Sequence, residues 1–326
     1  MQIFKSPNYN FIRWRWHALA LSLTVVVAGA VMMATRGLPL GIDFSGGTIV
    51  IVQFDEPVTE DQVRRAGTAI PGDVGVQQYG APEDHEWLIR LPQTEEIEQG
   101  ASLEQGSQQI VESLQKAGLP SFQVISTEIV GPVIGADLQR RGIYATLAAL
   151  VAIMLYIAVR FRLSFALGAI AATFHDILVT LAFLTFFGYE LSLNVVAAIL
   201  AITGYSVNDT IVVFDRVREN LRSMRRETLD HVVNVSVNQT LARTVITSGT
   251  TFMAVMSLYL FGGEVLRGFA FTMLVGIISG TYSTVFIASA IAIILSQRGR
   301  AAAAAAAPAR RPEARPGRKA RGARAS

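Results

Sequence analysis

Two carboxylate side chains interrupt long apolar stretches of this 326-residue chain. Asp176 lies midway along residues 163–189, and Asp209 lies near the end of residues 191–214. A carboxylate at the centre of a membrane helix costs about 2.5–3.5 kcal/mol on insertion scales, so such residues usually face a partner or a water-filled cavity. Both acids are therefore candidates for binding and releasing a proton inside an apolar layer.

Arg243 is the predicted partner of Asp209. It begins the next apolar stretch, and two antiparallel neighbouring helices would bring both side chains to a similar depth. Three threonines follow on the same helix face at i+4, i+7 and i+8: Thr247, Thr250 and Thr251. The pattern fits a static ion pair that locks two helices. It also fits a carboxylate whose protonation releases the arginine and changes the helix arrangement.

His175 directly precedes Asp176. Adjacent helical residues point about 100° apart, because 3.6 residues make one turn, so the two side chains need not touch. Packing, a buried hydrogen bond and a proton relay all stay open for this pair. A different pattern, Gly276 and Gly280 in GIISG, predicts close helix packing inside the chain or against another subunit.

The sequence lacks the residues that several other kinds of chemistry require. Cysteine is absent, which excludes disulfides, thiolate metal sites and thiol nucleophiles. The phosphate-binding pattern GxxxxGK[ST] is absent too, which argues against an ATPase. We therefore predict no catalytic residues, no metal and no bound cofactor. Protons are the predicted coupling ion, with sodium as the alternative.

The composition indicates the class of protein that positions these residues. Hydrophobic residues make up 51% of the chain and charged residues only 16%, against about 25% in a typical soluble protein. A transmembrane helix needs roughly 20 mostly apolar residues. Stretches with few charges predict six such helices: 16–35, 142–159, 163–187, 191–214, 244–262 and 268–297.

Basic residues near the helix ends predict the orientation. They cluster before helix one, between helices two and three, in the predicted loop 215–243 and after helix six, so these parts are predicted to be cytoplasmic. Residues 1–15 then form a cytoplasmic N-terminus, and 298–326 a disordered basic tail. The alternative for helix one is a signal peptide cleaved near AGA at 28–30, but the apolar run continues to membrane-spanning length.

Residues 36–141 predict a small α/β domain on the opposite, periplasmic side. Patterns of β-branched and alternating apolar residues predict four strands: 48–54, 74–79, 86–91 and 122–130. Helical spacing predicts two helices, 59–70 and 103–118. The order β-α-β-β-α-β is that of the ferredoxin-like fold, and no catalytic set of residues accompanies it.

Several sequence blocks resemble the SecD/SecF family of protein-export membrane proteins. The octapeptide GIDFSGGT resembles the family signature Gly-x-Asp-Phe-[Ser/Thr]-Gly-Gly-Thr, and its glycines predict a tight turn where the chain leaves the membrane. The residues of this signature turn are Gly41, Asp43, Phe44, Gly46 and Gly47. Further blocks resemble SecF members in the same order: HD at 175–176, GYSVNDTIVVFDRVREN at 204–220, QTLARTVITSGTT at 239–251 and YLFGGEVLRGF at 259–269.

The resemblance implies a protein of the resistance-nodulation-division transporter superfamily in the inner membrane of a bacterium. SecD would form the other half of the assembly, as a separate or a fused chain, and the pair would be a proton-driven motor for protein export through the Sec channel. SecYEG, YajC, emerging preproteins and membrane lipid are the implied partners, with no specific nucleic acid. Asp209, Arg243 and Thr247 match the family positions tied to proton passage, and His175 and Asp176 are weaker candidates.

Two other functions stay open at this point. A small-molecule or lipid exporter of the same superfamily would normally have twice as many spans and two large external domains in one chain. A non-conducting assembly factor would support export normally even when both Asp209 and Arg243 are neutral.

Overall fold

The computed structural model describes residues 7–70, 74–80, 82–92 and 103–306. A short 3-10 turn leads into a long helix, α1 (Arg15–Arg36), and a small domain follows. Its elements are α2 (Ile42–Ser45), β1 (Gly47–Phe54), α3 (Glu60–Gly67), β2 (Gly75–Tyr79), β3 (Glu86–Pro92), α4 (Leu103–Lys116) and β4 (Phe122–Val130). The predicted β-α-β-β-α-β order is confirmed, and α2 is an additional turn of helix in front of it.

The four strands form one antiparallel sheet in the order β2-β3-β1-β4. The central strand β1 pairs with both β3 and β4, and the ladder with β4 shifts register between Ile51 and Val52. Each strand-helix-strand unit therefore encloses one strand of the other unit, which is the ferredoxin-like arrangement. The predicted fold of the domain is confirmed.

Both faces of β1 are buried, because nearly every residue of this strand is apolar. On one face, Val50 and Val52 pack beneath α3 and α4, where they meet Val63 and Ile110. Full burial of such a side chain contributes about 1.5–3 kcal/mol. The other face packs on α2 and lines a cavity above the membrane domain, through Ile49, Ile51 and Leu88.

Five further long helices complete the described chain: α5 (Pro132–Arg160), α6 (Leu163–Phe187), α7 (Leu193–Ser223), α8 (Leu229–Phe261) and α9 (Glu264–Ser283). A π-helical turn, Thr284–Ala288, and α10 (Ser289–Ala306) continue α9 without a break. Together with α1, these helices make six segments that are long and apolar enough to cross a membrane. The predicted number of spans is therefore confirmed.

The helices extend beyond the predicted spans at their polar ends. α5 begins at Pro132 rather than at residue 142, and proline suits the first helical turn because its missing N–H has no partner there. α7 runs to Ser223 and α8 begins at Leu229. The prediction of a loop over 215–243 was therefore wrong, since most of this region is a helical hairpin.

Polar contacts explain why that hairpin is helical. Asn220 donates hydrogen bonds to Ser236 Oγ at 2.9 Å and to Gln239 Oε1 at 2.8 Å, which joins α7 to α8 beyond the apolar layer. A single nitrogen of Arg160, Nη2, lies 2.7 and 2.9 Å from the two carboxylate oxygens of Asp215, which joins α5 to α7. The polarity of the segment suggested a loop, but its polar side chains pair with one another and leave the backbone helical.

α10 also continues into the predicted tail. Disorder was predicted from residue 298, but the helix runs through Ala306, because alanine has the highest helix propensity of all residues. Residues 307–326 are not among the described residues, so the predicted disorder of this part of the tail stays a prediction.

Three contacts bring the two ends of the described chain to the same end of the helix bundle. The backbone N–H of Tyr9 donates to Asn238 Oδ1 at 2.8 Å. Arg15 pairs with Asp230 at 2.6 Å, and Gln297 Nε2 donates to the same Asp230 at 2.8 Å. The start of α1, the start of α8 and the end of the last span therefore meet, as six crossings require.

Small residues allow α9 to pack closely on α7. Gly276 and Gly280 of α9 lie against Ile202 and Ser206 of α7, and a Cβ atom on either glycine would collide with these side chains. The GIISG pattern therefore serves packing within the chain, which is one of its two predicted uses.

Candidate functional site

Asp209 lies between α7 and α8, with a residue exposure of 9%. Thr244 Oγ1 of α8 donates a hydrogen bond of 2.7 Å to Asp209 Oδ1. The other carboxylate oxygen, Oδ2, is buried and has no hydrogen-bond partner in the described part of the chain. A buried polar atom without a partner is costly, so Oδ2 marks a place where a further donor belongs.

Arg243 lies within electrostatic range of Asp209, but the described side chains form no ion pair between them. Arg243 is exposed on the surface of the chain, whereas its neighbour Thr244 points inward and is 3% exposed. The structure thus brings Thr244, rather than Arg243, into contact with Asp209. The static ion pair that the sequence suggested is not present in this arrangement.

The threonines that follow Arg243 bond to their own helix. Thr247 Oγ1 donates to the carbonyl oxygens of Arg243 at 3.0 Å and Thr244 at 3.1 Å. Thr250 and Thr251 donate in the same way to carbonyls one turn earlier. Arg243, Thr247 and Thr250 are exposed, so this stripe lines the outer surface of the subunit.

Asp176 on α6 has a different environment, with three serine donors and the ring of His175 around a carboxylate that is 2% exposed. Ser206 of α7 and Ser283 of α9 donate to Oδ2 at 2.6 and 2.8 Å. Ser279 of α9 donates to Oδ1 at 2.7 Å, and His175 Nδ1 lies 3.1 Å from the same oxygen. These contacts join three helices at one carboxylate.

His175 therefore does touch its neighbour, and its ring also stacks on Tyr282 with a centroid distance of 6.2 Å. Of the three possibilities for the His175–Asp176 pair, the geometry contains the packing contact and the hydrogen bond. A proton relay through the pair stays a prediction.

Two hydroxyl pairs extend the polar layer between the helices. Thr210 of α7 and Thr284 of the π-helical turn lie 2.8 Å apart. Thr281 of α9 donates to Ser248 of α8 at 3.0 Å. π-helical turns are frequent at functional sites, and this one adjoins the serines that surround Asp176.

The signature turn connects the small domain to the start of α7. Asp43 Oδ2 accepts a hydrogen bond of 2.8 Å from the backbone N–H of Leu193, in the first turn of α7. A negative charge is stabilised at a helix N-terminus, because the first backbone N–H groups have no partner within the helix. Gly46 and Gly47 have φ values of 70° and 132°, which other residues adopt only with strain. Phe44 is buried against α5 beside Gly135.

Arg90 of β3 makes a second connection to the same place. It forms an ion pair with Glu190, three residues before α7 begins, and donates to the carbonyl oxygen of Leu40 at 2.7 Å and to Ser45 Oγ at 2.9 Å. The sheet, the signature turn and the start of α7 are thus joined through one guanidinium.

Sequence reasoning missed these partners for identifiable reasons. Thr244 stands next to Arg243 in a segment rich in threonine, and only the rotation of α8 decides which hydroxyl faces inward. The three serines around Asp176 are uncharged and carry little signal individually. Ser279 and Ser283 do share a helix face with Gly276 and Gly280, and this spacing could have pointed to them.

Six segments long and apolar enough to cross a membrane, a ferredoxin-like domain after the first of them and two carboxylates buried among the helices are typical of a transporter-type polytopic membrane protein. The profile described as "Protein export membrane protein SecD/SecF, C-terminal" matches residues 109–298, which is more than half of the chain. The "SecD/SecF GG Motif" profile matches residues 31–58. The chain belongs to the SecD/SecF family of protein export membrane proteins.

Curated relatives agree with this assignment. The chain is 42% identical over 312 residues to the protein translocase subunit SecF of Rhodothermus marinus, covering 93% of this chain and 97% of that protein. It is 40% identical over 294 residues to the protein translocase subunit SecF of Escherichia coli O157:H7, covering 89% and 88%.

Solved structures support the fold. The crystal structure of SecDF, a translocon-associated membrane protein from Thermus thermophilus, matches with a TM-score of 0.77 and 34% identity over 90% of this chain. The structure of SecDF in a super-membrane-facing form matches with a TM-score of 0.69 and 35% identity over 94% of this chain. This chain spans only 39% and 41% of those two chains.

Proposed function

We propose that this chain acts with SecD as one half of a membrane complex that uses the proton gradient to assist protein export through the Sec channel. The curated relatives are named as SecF subunits of a protein translocase, and the matched crystal structure is described as translocon-associated. SecYEG, YajC and the emerging preprotein are the further partners of this proposal. Protons are the coupling ion, and no other cofactor takes part.

The unpartnered Oδ2 atom of Asp209 is the observation that carries the proposal. One oxygen of this carboxylate already has a donor, Thr244, so one more donor is needed. Oδ2 can reach a stable state in two ways: it accepts a hydrogen bond from the guanidinium of Arg243 on the neighbouring helix α8, or it binds a proton and becomes a neutral hydroxyl. These two cannot occupy the same oxygen together, so binding a proton displaces the arginine, and losing the proton lets the arginine return.

An exchange of partners at Asp209 would change how α7 and α8 pack, because Arg243 must turn from the surface toward α7. A ligand shifts a conformational equilibrium only as far as it binds the two states differently, and a proton on Asp209 has this property. The start of α7 is joined to the small domain through Asp43 and Arg90. Movement of α7 would therefore reach the domain outside the membrane.

The proposed location is the bacterial inner membrane, with both termini in the cytoplasm and the small domain in the periplasm. The end of the bundle that holds the start of α1 also holds the hairpin of α7 and α8, and this end is rich in arginine. Cytoplasmic loops carry an excess of basic residues, which supports this orientation.

The test is export into inside-out membrane vesicles from cells that carry Asp209→Asn. Asparagine keeps the shape of aspartate and cannot titrate. We expect the variant to insert normally and to lose the part of translocation that depends on the proton gradient. Asp137→Asn, at an acid of α5 that forms a surface ion pair with Arg141, is the matched control and should export normally. Full gradient-dependent export by Asp209→Asn would overturn the proposal.

A further inference from the structure

Four arginines line one cavity at the arginine-rich end of the bundle. The cavity has a volume of about 490 Å³ and lies between the end of α5, the start of α6 and the polar end of α7. Pockets of this size suit a small molecule or a lipid headgroup. Three of the four arginines, Arg162, Arg218 and Arg222, are exposed, and in the described part of the chain none of these three has an acidic partner.

The floor of this arginine cavity is aromatic and firmly packed. Phe214 is 1% exposed, and its ring lies edge-on to Phe165 and Phe161 with centroid distances of 5.1 and 5.9 Å. Arg160 also lines the cavity, but Asp215 already neutralises its charge. The positive charge that faces the cavity therefore comes from the other three arginines.

The rim of the cavity is apolar. Val159, which lines the cavity, is 81% exposed, and Leu163, which directly follows Arg162 beside the cavity, is 72% exposed. Both belong to helices that cross the apolar layer, so their exposed faces lie at the level where acyl chains meet headgroups. Uncompensated cations beside exposed apolar side chains match the two parts of a phospholipid.

We propose that the arginine cavity binds the phosphate headgroup of an anionic phospholipid of the surrounding membrane. The phosphate oxygens accept hydrogen bonds from Arg162, Arg218 and Arg222, since a guanidinium matches the geometry of a phosphate. The acyl chains lie along Val159 and Leu163. Three positive charges without an acidic partner favour binding of an anion. The apolar rim favours an anion that carries hydrocarbon chains. Basic pockets between the cytoplasmic ends of transmembrane helices bind anionic headgroups in this way.

The bound lipid would lie against the helix that carries Asp209, because Arg218 and Arg222 belong to α7. Its other contacts are with the turn between α5 and α6. The lipid would therefore brace α7 against its neighbours at the end opposite to the small domain.

The test is a lipid titration of the delipidated protein in detergent, read by native mass spectrometry. The probes are phosphatidylglycerol and phosphatidylcholine with the same acyl chains. We expect phosphatidylglycerol to bind about tenfold more tightly or better. Arg218→Gln with Arg222→Gln should weaken phosphatidylglycerol binding about 25-fold, because each arginine near a membrane surface contributes a factor of about five. Phosphatidylcholine binding should change little.

The matched control removes the same charge from the nearby turn, as Arg225→Gln with Arg226→Gln, and should leave phosphatidylglycerol binding unchanged. Equal losses in both double variants would show a general surface charge effect and overturn the proposal. Equal binding of the two lipids to the unmodified chain would overturn it too, as would full displacement of phosphatidylglycerol by equimolar inorganic phosphate. If the cavity double variant does not fold, the single variants Arg222→Gln and Arg226→Gln replace the two double variants. We expect Arg222→Gln to weaken phosphatidylglycerol binding about fivefold and Arg226→Gln to leave it unchanged.

Discussion

Two carboxylates buried in the same membrane domain differ in how their oxygens are satisfied. Asp176 has serine donors on both oxygens, from Ser206, Ser279 and Ser283, and His175 Nδ1 lies 3.1 Å from one of these oxygens. Asp209 has a single donor, on one oxygen. Both oxygens of Asp176 therefore accept hydrogen bonds, whereas Asp209 Oδ2 accepts none in the described part of the chain. This contrast fits an anchoring role for Asp176 and leaves Asp209 as the acid whose partner can change.

Thr244→Val is the sharpest test of the hydrogen bond to Asp209. Valine nearly keeps the shape of threonine and removes the donor, and a hydrogen bond to a charged group contributes about 1.5–3 kcal/mol. We expect gradient-dependent export to fall several-fold, with a shifted dependence on pH. The control is Thr203→Val, since Thr203 is equally buried but donates to the carbonyl of Ile199 in its own helix. Equal effects of the two substitutions would count against a specific role for Thr244.

The sequence identified candidate residues whose charge is unusual in their surroundings. It did not identify residues whose role depends on how a helix is rotated about its axis. Asp209 was identified because a single acid interrupts an apolar stretch. Its contact with Thr244 depends on how α8 is turned about its axis, and the sequence placed Arg243 there instead. The helix rotation follows from the packing of α7, α8 and α9 together, which no local pattern records.

At the scale of elements, α7 connects the parts of the molecule. Its first turn meets Asp43 of the signature turn, its middle carries Asp209, and its last turns form the hairpin with α8. Ser206 in the same helix reaches Asp176 on α6. A change in the position of α7 would therefore be felt at both surfaces of the membrane.

The hairpin of β2 and β3 contains an acid whose ionisation opposes folding. Partial burial raises the pKa of Glu86 above its ordinary value of 4.5, and the negative charge of Asp84 raises the pKa further. The folded state then binds more protons than the unfolded state just above pH 4.5, so stability falls as the pH rises through that interval.

Glu86→Gln should therefore slow hydrogen exchange of the β2–β3 backbone at neutral pH, and this advantage should shrink toward pH 4. Hydrogen-exchange mass spectrometry of the full chain at the two pH values measures this. Glu56→Gln, at an exposed acid just after β1, is the control and should show no such pH-dependent gain. An advantage of the same size at both pH values would contradict the assignment.

Strands and helices were predicted well where a clear hydrophobic periodicity or a helix-capping motif marks them. The strands β1 to β4 and helix α3 lie within a few residues of their predicted positions, and Thr59 and Gln62 form the capping box at the start of α3. The helical hairpin was missed because its stability comes from cross-helix contacts, such as that of Asn220 with Ser236, rather than from an apolar stripe.

At the scale of the whole molecule, the outer face of α8 indicates an incomplete assembly. Arg243, Thr247 and Thr250 are exposed on a helix that crosses the apolar layer. A charged side chain at this depth is costly unless another protein surface or water covers it. The proposed SecD half would provide this cover, consistent with a chain that spans 39% of the matched SecDF chain.

A cross-link can test whether the small domain must move relative to the membrane helices. The chain contains no cysteine, so Arg90→Cys with Glu190→Cys introduces the only two thiols, at residues that form an ion pair. A short reducible thiol cross-linker should abolish gradient-dependent export, and reduction should restore it. Arg90→Cys alone, treated identically, is the control. Full export by the cross-linked chain would show that this contact can stay closed throughout the cycle.

The central claim is that Asp209 and Arg243 form a titratable switch rather than a structural bridge. Asp209 and Arg243 form no ion pair in this structure and Arg243 is exposed, so neutralising both residues breaks no existing contact and leaves no buried charge unpaired. The variant Asp209→Asn with Arg243→Gln should therefore keep its stability whichever role the pair has. Its activity distinguishes the two roles, because a switch needs a group that binds and releases a proton.

The deciding measurement is gradient-dependent translocation by this double variant, made beside its melting temperature in detergent. We predict a melting temperature close to that of the unmodified chain, together with loss of the gradient-dependent part of export. A stable double variant with full gradient-dependent export would contradict the account and show that export needs no titratable switch at Asp209 and Arg243.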